Sequence, residues 1–411
     1  MGEALNTGAL EWKSQQQMTS LQLDPAYHSA IPHQTPPPDL EGHPITQGVT
    51  VPVLPTIYHG TAVASQPPPP AGNARSVSTT ATRDGPVVNG YSSDTSIPGS
   101  PTGTFSTFSM TSTLESRVFR EDGGRRFQAQ NDEYSLPNDE QELQRLEYQH
   151  RAIKAGQKGI NYLGPMPGNL GEGMRALDVG CGTGIWAIEM AQEFPHVEWV
   201  ATDLTPIQRD SDLPDNLHFV QNDITQGLPF PDASFDLVHA RLLVMGIRNW
   251  KFIIEEVLRV LKPGGMLYHV ECDFPWGLIG VPEDEWRDRA PGHCKFQDYL
   301  KMAVETRGYE PELSKVLPRL MRNSGQVRDV SQIKTYLPLW GWSHEPHMHQ
   351  SGVIVRPDAE DIPNSVQIVI MDTCEIPAIR YEQLKRGYLD ELGKPDATTA
   401  VPFSHTFGWK I

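Results

Sequence analysis

The chain has 411 residues, 51 acidic and 34 basic side chains, and a formal charge of −17. That acidity argues against direct nucleic-acid binding, which needs a basic face. No apolar run approaches the roughly 18 residues of a membrane span, so no membrane insertion is expected.

The hydrophobic share is 38%, below the roughly 45–50% usual for globular chains, and the deficit is local. Residues 1–113 are rich in Pro, Ser, Thr and Gly, with runs such as "QTPPPDL" and "SQPPPPAGNA". Such a segment buries too little surface to offset its ordering entropy and is predicted to be a disordered tail. Residues 114–411 are long enough for one large α/β domain. The start "MGEALNTGALEWKSQQQ" lacks the basic and apolar regions of a signal peptide, and Asn6 stands where a myristoylation pattern wants Ser or Thr. Four dispersed cysteines without a CxxC pair fit a reducing compartment, with no disulfide framework or zinc site. Ser100-Pro101 in the tail permits phosphorylation.

The first structural signal is "EYSLPNDEQELQRLEYQHRAIKAG", where Asn138 and Gln141 have capping-box spacing. Leu143, Leu146, His150 and Ile153 follow at helical spacing, predicting a helical lid over about 133–155. From about 176 the pattern alternates. "ALDV", "VEWVATD", "LHFVQND", "FDLVHAR" and "MLYHVECDF" read as strands; "GIWAIEMAQEF" and "WKFIIEEVLRVL" read as helices, the second stopped by Lys262-Pro263-Gly264-Gly265. Short apolar strands between helices predict a mostly parallel sheet with helices on both faces, over a core of about 175–345. Ligands of such sheets sit at the carboxyl ends of the strands. The pattern weakens over 346–411, where a closing strand is placed within "VPFSHTFGWK".

Gly180, Gly182 and Gly184 let the backbone turn sharply and approach a ligand, and the following helix points its positive end into the same space. Residues 182–187 formally satisfy the dinucleotide pattern GxGxxA. Asp178, two residues before Gly180, tells against that reading, because a carboxylate there would face a pyrophosphate; it suits a ligand with an ammonium group. Asp203 ends the second core strand, where an acid holds ribose hydroxyls in either reading. Asp223 ends the third and could accept from an adenine amine.

With "LPFPDASFDLVHAR" and "LRVLKPGGML" in order and spacing, the chain resembles the class I S-adenosylmethionine-dependent methyltransferases, which implies a Rossmann-like fold. Over residues 133–345, "YSLPNDEQELQRLEYQH", "DVGCGTGIWAIEMAQEFP", "TDLTPIQ" and "VECDFPW" resemble the fungal LaeA family of methyltransferase-like regulators of secondary metabolism. That resemblance implies a nuclear location and velvet-domain partners. Two alternatives stay open: a small-molecule methyltransferase of a biosynthetic pathway, and a cofactor-binding regulatory module without turnover.

Methyl transfer depends mainly on holding donor and acceptor in line, and it needs a base only if the acceptor arrives protonated. The glycines would carry the methionine part of S-adenosylmethionine and Asp178 its ammonium end. Asp203 would take the ribose hydroxyls, Asp223 the adenine amine, and Ile224 would lie beside the ring. Tyr134 would close the site from the lid. His239 and Arg241 are placed where the acceptor enters, His239 either as candidate base or, the commoner case, as a packed histidine at a strand end, and Arg241 on the cofactor carboxylate or a neighbouring acid. Cys181 is expected to pack beneath the cofactor, and Trp276, Trp340 and Trp342 to pack in the core or line an acceptor pocket. His344, His347 and His349 lack a fourth ligand, so no metal is assigned.

Overall fold

The computed structural model describes residues 118–131, 133–166, 170–205 and 213–411; the expected disordered tail, 1–113, lies outside them. Strands β1 (Phe119–Asp122) and β2 (Arg125–Gln128) form an antiparallel hairpin. Its two turn residues, Gly123 and Gly124, have φ of 56° and 77°, the positive values a two-residue hairpin turn requires.

Helix α1 spans Glu140–Gly156. Its cap is Asp139, one residue later than the sequence suggests: the Asp139 carboxylate accepts from Glu142 N–H at 3.0 Å. Asn138 donates to Thr205 Oγ1 instead, at 3.0 Å. The buried face also differs from the apolar stripe expected, because it carries Glu142 and Arg145 beside His150, Ala152 and Ile153.

The main sheet contains β3 (Arg175–Val179), β4 (Glu198–Asp203), β5 (Leu217–Gln221), β6 (Phe235–Arg241) and β7 (Leu261–Cys272), all parallel, in spatial order β5-β4-β3-β6-β7. The short β8 (Gly277–Leu278) and the long β10 (Thr399–Lys410) follow, and β10 runs antiparallel to β7. The closing strand thus falls where the sequence placed it. On its far side β10 pairs antiparallel with β9 (Val327–Pro338), which has no other strand neighbour among the described residues.

Helix α2 (Ile185–Glu193) covers one face of the sheet and α3 (Trp250–Val260) the other. Neighbouring residues of β7 show this. Tyr268 faces His239, which stacks on Trp186 of α2, whereas His269 meets Trp250 of α3. The remaining helices are α4 (Trp286–Arg289), α5 (Pro291–Thr306), α6 (Leu313–Asn323), α7 (Pro346–Ser365), α8 (Gln367–Thr373) and α9 (Ala378–Leu389). Arg145 of α1 ties that helix to α7, donating to Asp358 at 2.8 Å and to Glu142 at 2.6 and 2.9 Å. The chain leaves β3 in one direction along the sheet and later returns on its other side through β6. That makes the carboxyl ends of β3 and β6 the topological switch point, where such folds bind ligands.

Candidate active site

The loop after β3 carries the three glycines in left-handed conformation, with φ of 65° at Gly180, 56° at Gly182 and 73° at Gly184. A Cβ at Gly180 would sit 2.3 Å from Leu243 Cδ2, so that leucine would have to move, and the positive φ disfavours a side chain whatever the space. Gly180 and Cys181 donate their N–H groups to Thr202 O at 2.8 and 3.0 Å. Gly182 N–H donates to Asp203 Oδ2 at 2.8 Å. Thr205 donates its N–H and its hydroxyl to Asp203 Oδ1, each at 3.0 Å. Burial and the charge of Asp178 raise the Asp203 pKa against those bonds. A carboxylate accepts about four hydrogen bonds, so capacity remains for a ribose edge. Burial, Asp203 and Asp178 push the Cys181 thiol well up, and the residue packs against the core rather than presenting a thiolate.

Asp223 accepts from Thr225 N–H at 3.0 Å and from its hydroxyl at 2.7 Å, capping the single turn Ile224–Gln226. Its Oδ2 accepts from Asn131 at 3.0 Å. Ile224 is partly buried against the core. Asn131 belongs to a strap, of which residues 128–131 and 133–138 are described, that crosses the ends of β4, β5 and β6. Gln130 donates to Leu204 O at 2.9 Å. Glu133 accepts from Arg248 N–H at 3.3 Å, and Ser135 accepts from Arg307 at 3.1 Å. The Tyr134 ring lies 3.0 Å from where a Cβ of Gly246 would stand. Burial, Glu142 and Asp203 push its hydroxyl well up.

Of the two readings of His239, the structure takes the packed histidine and not the base at an acceptor entrance. His239 lies inside β6, 1% exposed, opposite Asp178 of β3. Its ring stacks on Trp186 at 3.5 Å, and its Nδ1 meets Asp178 Oδ1 at 2.7 Å. Burial, Arg241 and His150 hold the imidazole well below its ordinary pKa. Burial lifts Asp178 to about 7 against the pull of Arg241 and His150. The histidine is a neutral core residue, and the first partner of Asp178 is protein.

Arg241 ends β6, as the strand "FDLVHAR" has it. Its Nη2 meets His150 Nδ1 at 3.1 Å, while His150 Nε2 faces Glu189 at 3.1 Å and Lys154 donates to Glu189 at 2.6 Å. Burial opposes ionisation of Glu189, but His150 and Lys154 outweigh it and hold the carboxyl at about 2. Arg241 is thus engaged by an imidazole rather than directly by an acid.

The indoles of Trp340 and Trp342 donate to Ala397 O and Thr399 O, both at 2.9 Å, and stitch their loop to the β10 end of the sheet. Trp276 is buried against Phe274. His347 pairs with Glu345 at 3.5 Å. Among the described residues no group of three or more His, Cys, Asp or Glu could hold a metal ion, and no helix is long and apolar enough to cross a membrane. The sequence reading missed Asn131 and Glu271. Glu271 left a signal, an acid in the run "MLYHVEC" of a central strand that is buried on both faces.

Residues 148–313 match the model of a methyltransferase domain family. A methyltransferase of Strobilurus tenacellus, str3, is 30% identical over 207 residues, covering 50% of this chain and 70% of that protein. The secondary metabolism regulator laeA of Coprinopsis cinerea is 39% identical over 150 residues, covering 34% of this chain and 36% of the relative.

The chain belongs to the LaeA-like methyltransferases.

The protein-methionine methyltransferase laeA of Emericella nidulans is 33% identical over 162 residues, 39% of this chain and 42% of that one. Membership makes S-adenosylmethionine the cofactor and methyl transfer the reaction, and the dinucleotide reading of the glycine loop falls. The residues present fit that cofactor: a side-chain-free loop at the switch point, an acid at the end of β4 with acceptor capacity, and a second acid at the end of β5.

Proposed function

We propose that this LaeA-like methyltransferase is a nuclear regulator of secondary metabolism that works with velvet-domain partners. The name of the Coprinopsis relative supports the regulatory reading. Residues 1–113 are proposed as a regulatory tail and 114–411 as the methyltransferase domain. S-adenosylmethionine supplies an electrophilic methyl group when bound. The glycine loop and Asp178 take its methionine end, Asp203 its ribose, and Asp223 with Ile224 its adenine. Tyr134 and the strap exclude water from above.

The observation that carries this reading is the junction of Gly182 N–H with Asp203 Oδ2 at 2.8 Å, which locks the bare loop to the acid at the switch point. With His239 in the core, no side chain assigned to the site acts as a general base. That favours an acceptor whose lone pair is free on arrival, such as a methionine thioether, and the name of the Emericella relative agrees. The test is incubation of the purified protein with methyl-labelled cofactor and cell extract. Label on protein methionine is expected, at the same rate with residues 1–113 removed. Label on a small molecule would replace the regulator with a pathway enzyme, and no transfer would leave a binding module.

The strap is proposed as the closing element of the site, whereas α1 is fixed to α7 by buried ions. Binding of S-adenosylhomocysteine is then expected to slow amide exchange at 130–138 and in the glycine loop, with little change at 143–156. Slowing confined to the glycine loop would reduce Tyr134 to a packing residue.

A further inference from the structure

Glu271, near the end of β7, is 1% exposed. A buried carboxyl is costly unless it is bonded. Its Oε1 accepts from Leu243 N–H at 2.6 Å, Oε2 has no hydrogen-bond partner among the described residues, and Val244 N–H is the next amide of the same segment. Those amides belong to the turn that leaves β6. The turn begins at Leu242, whose φ is 58°, a left-handed value a leucine keeps only where its surroundings impose it. Leu242 N–H is itself tied to Val270 O at 2.9 Å. The next side chain, Leu243, is the one that lies against Gly180, Cδ2 being 2.3 Å from where a Cβ would be.

One carboxyl thus holds the turn, the turn seats Leu243, and Leu243 backs the first glycine of the loop. Burial lifts the Glu271 pKa to about 8 against its backbone bonds, so the group is mainly the neutral acid at pH 7. A neutral amide of the same shape should then serve in its place.

We propose that Glu271 is a positioning residue of the methyltransferase: it fixes the left-handed turn Leu242–Val244, and through Leu243 the shape of the glycine loop that receives the cofactor. This rests on the cofactor reading given above. A purely structural carboxyl would change stability and leave cofactor affinity alone.

The full chain is compared with Glu271→Gln, Glu271→Asp and Glu271→Leu. The readouts are S-adenosylhomocysteine affinity by calorimetry and amide exchange at Leu243 and Val244 without ligand. Glu271→Gln keeps the accepting oxygen and is expected within about twofold of wild type. Glu271→Asp cannot reach the turn and Glu271→Leu has no acceptor; each is expected to bind about tenfold more weakly or worse, the scale of one lost hydrogen bond. Both should show faster exchange at the two amides. Wild-type affinity in a folded Glu271→Leu or Glu271→Asp overturns the proposal, as does a tenfold loss in Glu271→Gln. If Glu271→Leu does not fold, the Gln and Asp variants decide. Should wild type bind no S-adenosylhomocysteine, the cofactor reading falls, and the coupling of Glu271 to the loop's ligand with it; exchange at Leu243 and Val244 still decides whether Glu271 holds the turn.

Discussion

Replacing Arg145 by alanine is expected to cost about 3–5 kcal/mol of folding stability, the range for breaking a buried ion pair from one side. The guanidinium is 8% exposed and lies between Glu142 and Asp358, whose side chains are 1% and 2% exposed. It donates to Glu142 at 2.6 and 2.9 Å and to Asp358 at 2.8 Å. Ser365 completes the cluster, donating to Glu142 at 2.7 Å. Burial already lifts Asp358 to about 6 against the pull of Arg145. Without the arginine, buried Asp358 loses its ion-pair partner, while Glu142 keeps, among the described residues, only Arg125 as an ion-pair partner, 4.0 Å away. Urea unfolding should show a lower midpoint with an unchanged slope. Replacing all three ionic members by apolar residues of similar volume should recover most of the loss, because the desolvation cost disappears with the charges. A loss under about 1 kcal/mol in Arg145→Ala would place the cluster with surface pairs and free α1 from its anchor.

Asp203→Ala is expected to weaken S-adenosylhomocysteine binding by about 1.5–3 kcal/mol, the cost of losing a charged hydrogen-bond partner. That is about ten- to 150-fold in Kd. The substitution removes two things. One is the acceptor for the ribose; the other is the anchor of Gly182 N–H at 2.8 Å, which locks the loop to β4. Asp203→Asn separates them, since an amide oxygen can still hold Gly182 while the other position becomes a donor. An Asn variant that binds better than Ala but worse than wild type is expected in titration calorimetry. Unchanged affinity in Asp203→Ala would remove this acid from the site.

The core strands and the glycine loop were legible because each carries a local signal: a short apolar run, or glycines where φ must be positive. What was missed depends on pairs distant in sequence. Arg145 and Glu142 looked like solvent-facing charges between leucines, and only Asp358, more than two hundred residues on, makes their burial tolerable. The cap moved one residue because Asn138 and Asp139 are both good capping residues, and Thr205 draws Asn138 away. His239 looked like a site residue because it stands near the end of an apolar run. Its partners, Asp178 and Trp186, come from another strand and a helix. The segment before the closing strand resisted reading because α7 holds Pro357 and Pro363 within it, residues that normally end a helical pattern.

Strand β9 bears on how partners meet this protein. Its outer rim exposes Arg328, Asp329 and Lys334, Asp329 is left-handed with φ of 54°, and the pairing with β10 is irregular between Phe407 and Trp409. Charges and a bulge on a border strand discourage another chain from continuing the ladder. Strand addition along this rim is therefore disfavoured, and the free edge of the sheet stays unextended.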